Sequence, residues 1–170
     1  TYTYETFPYQ TNIDLWQLNK CVKPLQDLND MIGMKKVKES IYNQIIMHLQ
    51  NLDNGNKDMN HTVIKGPPGV GKTRLAYILA DIYNSLGILK SNKVVIVKKD
   101  DLIGSYIGST APKTRKKLEE ALGGVLFIDE AYSLGSNPDA GGNADSFNRE
   151  AIDILTSFLD EKKDEFICII

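Results

Sequence analysis

The chain has 170 residues, 42% of them hydrophobic and 25% charged, with a formal net charge of -2; these proportions suit one folded domain and exclude a disordered or fibrous chain. No apolar run reaches the roughly 18 residues that span a bilayer, and the near-neutral balance gives no global attraction to nucleic acid, so a cytoplasmic protein with neither membrane nor nucleic-acid partners is expected. Cys21 and Cys168 lack metal-ligand spacing and are expected to be reduced thiols, with Cys168 buried in its apolar run.

Residues 1–30 hold scattered apolar positions, Trp16, Leu18, Val22, Leu25 and Leu28, interrupted by Pro8 and Pro24. An N-terminal arm or linker, with room for one short helix, is expected there, ahead of a single domain over residues 31–170. From Met34 to Leu52, apolar residues recur every three or four positions at Val37, Ile41, Ile45, Leu49 and Leu52, which predicts an amphipathic helix. The polar run Asn54-Gly55-Asn56-Lys57-Asp58 has turn chemistry and predicts a loop.

Thr62-Val63-Ile64-Lys65 reads as a short strand, and Leu75, Ile78, Leu79, Ile82 and Leu86 mark a second amphipathic helix after it. Three further apolar runs, Val94-Val95-Ile96-Val97, Val125-Leu126-Phe127-Ile128 and Phe166-Ile167-Cys168-Ile169-Ile170, are short and unbroken, as strands covered on both faces are. Helical patterns over residues 111–122 and 147–159 separate them. Strands alternating with helices predict an α/β fold, a three-layer αβα sandwich around a parallel sheet with right-handed crossovers. The Gly-, Asn- and Asp-rich residues 136–146 are expected to form a surface loop.

Between the first strand and its helix lies Gly66-Pro67-Pro68-Gly69-Val70-Gly71-Lys72-Thr73, a phosphate-binding loop. Glycines let backbone N–H groups turn toward phosphate oxygens, the following helix presents its positive end, and a lysine neutralises the outer phosphates. Nucleotide contacts are expected from Pro68, Gly69, Val70, Gly71, Lys72, Thr73 and Arg74, with the Thr73 hydroxyl on Mg²⁺. The run Val125 to Ile128 carries Asp129 and Glu130 to the C-terminal end of a strand, where open parallel sheets bind ligands. Asp129 is expected to hold Mg²⁺ and Glu130 to polarise an attacking water, with Lys72 as the second catalytic residue. Such a pair suits hydrolysis. A guanine-reading Asn-Lys-x-Asp is absent, so ATP is the expected nucleotide and ATP hydrolysis the expected reaction.

With both elements in place, the sequence resembles the AAA+ ATPases, in the branch containing stage V sporulation protein K and the red-type Rubisco activases. The matching segments are Leu28-Asn29-Asp30-Met31-Ile32-Gly33 with Val37-Lys38, the phosphate loop, residues 101–114 and Gly123-Gly124-Val125 through Asp129-Glu130-Ala131-Tyr132. The resemblance implies that Ile32 and Gly33 lie against the adenine. It also implies that Tyr106, Ile107 and Gly108 line the central pore of a hexameric ring, gripping a protein substrate, with a second pore loop near residues 136–147. It further implies a large nucleotide-binding subdomain truncated after its fourth core strand. The fifth strand, sensor residues, arginine finger and small helical lid domain would lie past Ile170, leaving the sheet edge at the phosphate-loop strand open to self-association. The chain alone is therefore expected to bind ATP and to hydrolyse it slowly. A nucleotide-gated scaffold that threads no substrate is the alternative, and a P-loop kinase for a small molecule is a third reading. A nucleic-acid motor would have to use Lys113, Arg115, Lys116 and Lys117, four basic residues that also suit a solvated helix face.

Overall fold

A computed structural model of the chain describes residues 15–50, 61–135 and 142–170. Helices α1 (Leu15–Asp30), α2 (Lys35–Leu49) and α3 (Lys72–Ser85) precede strand β1 (Val94–Val97). Short α4 (Lys99–Leu102) and α5 (Thr110–Glu120) lead to β2 (Val125–Ile128) and a 3₁₀ turn (Ala131–Leu134), then α6 (Gly142–Glu161) and β3 (Ile167–Ile169). The loop expected at residues 54–58 falls outside the described residues. So do residues 136–141 of the expected surface loop, whereas residues 142–146 are already part of α6.

The three strands form a parallel sheet in the order β1-β2-β3. Residues 62–64 extend it beyond β3: the Thr62 and Ile64 amides donate to Cys168 O and Ile170 O, and the Ile170 amide donates to Thr62 O. The expected first strand is thus reduced to an isolated parallel bridge between Thr62 and Ile169. His61 adds a side-chain anchor, because its Nδ1 accepts the Cys168 amide at 3.0 Å and its ring lies 5.6 Å from that of Phe166.

Alternation along the strands sorts the core into two layers. Val125, Phe127, Ile167 and Ile169 face α1, α2 and α3, while Leu126, Ile128, Phe166 and Cys168 face the layer that holds Leu102, Leu118, Leu155 and Phe158. Each fully buried leucine or phenylalanine stabilises the sandwich by about 1.5–3 kcal/mol. Cys168 lies in this core as an unpaired thiol, and burial pushes it up to about 12.

The stretch expected as an arm behaves differently from residue 15 on. It forms the 16-residue α1, with Cys21 and Leu28 fully buried in the same cluster as Leu75 and Leu79 of α3. Pro24 sits inside that helix. An interior proline costs a helix about 3 kcal/mol, and burial of the face carrying Cys21 and Leu28 offsets it. Among the described residues, no helix is long and apolar enough to cross a membrane.

Candidate functional site

The chain leaves the sheet after Ile64 at the C-terminal ends of parallel strands and turns through residues 66–71 into α3. Gly71, the residue before the helix, has φ 92, and Gly69 has φ 79. A side chain at Gly71 would be strained by that angle and would also meet Met31 Cε at 3.3 Å. No side chain caps α3, so its first-turn N–H groups are open to an anion. Lys72 Nζ crosses back over the loop to donate to Gly66 O at 2.8 Å. Pro68, Gly69, Val70, Thr73 and Arg74 are exposed around this turn, with Gly71 and Lys72 half-buried.

Asp129 and Glu130 come off β2 at the same edge of the sheet, because all the strands run parallel. The Asp129 amide donates to Val97 O at 2.9 Å, which ties the end of β2 to the end of β1. Its carboxylate is half-buried and lies 3.8 Å from Lys98 Nζ. Glu130 is exposed and sits in the left-handed region at φ 56 and ψ 39, starting the turn Ala131–Leu134. Such a conformation is uncommon outside glycine and, in a non-glycine residue, tends to mark a functional site.

The expected adenine segment approaches this loop through Met31. Met31 is buried against the Gly71 position, while Ile32 is 98% exposed and Gly33 has φ 75. Lys38 fastens the turn by donating to Asn29 O at 2.8 Å and Met31 O at 2.5 Å. Ile32 and Gly33 are therefore presented beside the phosphate loop, with open space around Gly33.

Residues 104–109 form a second, separate feature. Thr114 Oγ1 donates to Leu102 O at 2.8 Å, the Gly104 amide donates to Thr110 Oγ1 at 3.1 Å, and Lys113 Nζ donates to Asp100 O and Ile103 O. Ser109 Oγ accepts the Tyr106 amide and donates to Tyr106 O. Gly104 is packed so closely that a Cβ there would fall 1.9 Å from Ser109 Oγ and 2.6 Å from the Thr110 amide nitrogen. The base of the loop is thus clasped, and its tip is bare: Tyr106 is 73% and Ile107 88% exposed, with Gly108 at φ 84. Of the four basic residues on α5, Lys113 serves this clasp and Lys117 pairs with Glu120 at 2.9 Å, which leaves Arg115 and Lys116 as a solvated pair rather than a basic stripe.

Sequence reasoning named Met31 and Lys38 only within a matching segment, without a role, and missed Lys98. The signal for Lys98 was the one that revealed Asp129, a charged residue directly after an apolar strand. The arrangement fits a nucleoside triphosphate with a divalent cation: an uncapped helix end with left-handed glycines and a lysine for phosphates, then Thr73 and Asp129 as oxygen donors for a hard cation.

The family described as "ATPase family associated with various cellular activities (AAA)" matches residues 62–170. The cfxQ-like protein R730 of Acanthamoeba polyphaga mimivirus is 45% identical over 94% of this chain and 38% of its own length. Stage V sporulation protein K of Bacillus subtilis is 36% identical over 85% of this chain and 45% of its own. The chloroplastic ribulose bisphosphate carboxylase/oxygenase activase of Cyanidioschyzon merolae is 37% identical over 97% of this chain and 56% of its own. The chain spans about half the length of these relatives or less.

Proposed function

The chain belongs to the AAA family of ATPases, and on that basis we propose that it binds ATP at residues 66–74 and hydrolyses it with Glu130 as general base. The observation that carries this reading is the single sheet edge shared by the uncapped start of α3, with Lys72 folded over its loop, and by Asp129 and Glu130. The amides of residues 69–73 and the Lys72 ammonium bind the phosphates. In place of its bond to Gly66 O, Lys72 would hold an outer phosphate oxygen and stabilise charge as the bond to the leaving group breaks. Thr73 and Asp129 would hold Mg²⁺, which supplies charge neutralisation to the phosphate oxygens. Glu130, presented just past the end of β2, orients a water and accepts its proton. Ile32 and Gly33 cover the base.

In the whole protein this site drives work on a protein partner. Support comes from the exposed Tyr106-Ile107 tip on its clasped base, since an aromatic on a fixed loop can hold a polypeptide without reading its sequence. The relatives' names span sporulation and Rubisco activation, which suits a common motor with differing targets. A hexameric ring would bring a neighbour's arginine to the phosphates, a contribution worth about 10³–10⁵ in rate in related reactions. ATP supply and buried free thiols suit work in the cytoplasm.

Tyr106→Ala in the whole protein tests the mechanical part. ATP turnover is expected to persist while partner remodelling is lost. Remodelling that survives the change would favour a nucleotide-gated scaffold instead.

A further inference from the structure

The ion pair between Asp129 and Lys98 is given no role by the chemistry above. We infer that Lys98 is a built-in counter-cation for Asp129, one that a divalent metal must displace, so that Lys98 sets how strongly the metal couples to nucleotide binding. The inference rests on the nucleotide reading of the site.

Register places the two residues opposite each other. Val97 pairs with Ile128, so Lys98 and Asp129 are the next positions along two parallel strands and project on the same side. Both roots are clamped. The Asp129 amide donates to Val97 O, the Lys98 amide donates to Asp101 Oδ2 at 2.9 Å, and the Asp101 amide returns a bond to Lys98 O at 3.0 Å. The carboxylate is 27% exposed and the lysine side chain 60% exposed, with 3.8 Å between Nζ and Oδ2.

A pair this open and this long does little for stability. Its consequence is electrostatic and local. The ammonium sits on the carboxylate that a metal would require, and a flexible lysine stem lets it withdraw when a doubly charged ion arrives. Metal binding then works against one positive charge that is fixed at its root and cannot diffuse away. Lys98 is a positioning residue in this scheme, acting through Asp129.

The test measures the affinity of a fluorescent non-hydrolysable ATP analogue, once with EDTA and once with Mg²⁺, and takes the ratio of the two dissociation constants. Loss of a positive charge near the phosphates weakens the free, more highly charged analogue more than its Mg²⁺ complex, so the Asp129→Asn background is needed to separate that effect from displacement at Asp129. Lys98→Gln is expected to raise the gain from Mg²⁺ by about two- to fivefold, the scale of one solvated ion pair. Lys98→Arg, which keeps the charge, is expected to match the parent. In an Asp129→Asn background, Lys98→Gln should leave only the effect of charge on the phosphates, a smaller rise. An unchanged or smaller ratio in Lys98→Gln overturns the inference, as does the same rise without Asp129. If the parent binds no analogue under either condition, the nucleotide reading itself falls and takes this inference with it; a Mg²⁺-sensitive parent with an indifferent Lys98→Gln removes only the role of Lys98.

Discussion

His61 joins the phosphate-loop segment to β3 through a neutral imidazole, since its Nδ1 must accept the Cys168 amide. Burial holds its pKa below the ordinary 6.5, against smaller opposing effects of the Leu159 carbonyl and Asp160. The unfolded chain takes up this proton first as pH falls, so the contribution to stability is present above 6.5 and is lost below it. The thermal midpoint is therefore expected to drop between about pH 7.5 and 5.5. His61→Asn, whose Oδ1 can accept the same amide without titrating, should flatten that slope; an identical slope in the variant would remove His61 as the cause. The residues easiest to read in the sequence were those selected for local chemistry, such as Gly69, Gly71 and Lys72, because the loop they form is contiguous. The left-handed backbone of Glu130 and the pairing of Lys98 with Asp129 were not legible. Both depend on how β1 and β2 align, which one segment does not encode.

At the level of elements, α1 shows why pattern reading fell short. Pro24 and Pro8 suggested an interrupted arm, yet the helix persists through Pro24 because Cys21 and Leu28 bury against α3. Tertiary packing outweighed local preference there. Leu28→Ala should then cost about 2–5 kcal/mol, as a cavity in a true core does. Urea unfolding would show it as a lower midpoint at constant slope; a change near zero would make α1 a detachable arm after all. The strands were legible as apolar runs, apart from residues 62–65, where β-branched side chains predicted a full strand and the structure keeps one bridge. The backbone hydrogen bonds of that segment run to Cys168 and Ile170, within and just past β3. The loop of residues 104–109 was readable only through family resemblance. Its clasp uses Ser109, Thr110, Lys113 and Thr114, polar residues whose roles appear once α5 is folded against the end of α4.

For the whole molecule, two apolar layers leave the C-terminal edge of the parallel sheet free for polar chemistry. The helix start, the carboxylates and Lys98 all lie at that edge because parallel strands end together. The central claim is that this edge binds ATP and that Glu130 hydrolyses it. Glu130→Gln keeps the side-chain shape and suits the same left-handed backbone, so it isolates the proton-accepting role. ATP affinity and turnover measured side by side on the parent and Glu130→Gln forms of the whole protein test the claim most directly. Affinity should be retained while turnover falls by about 10²-fold or more; equal turnover in the two proteins would contradict the account.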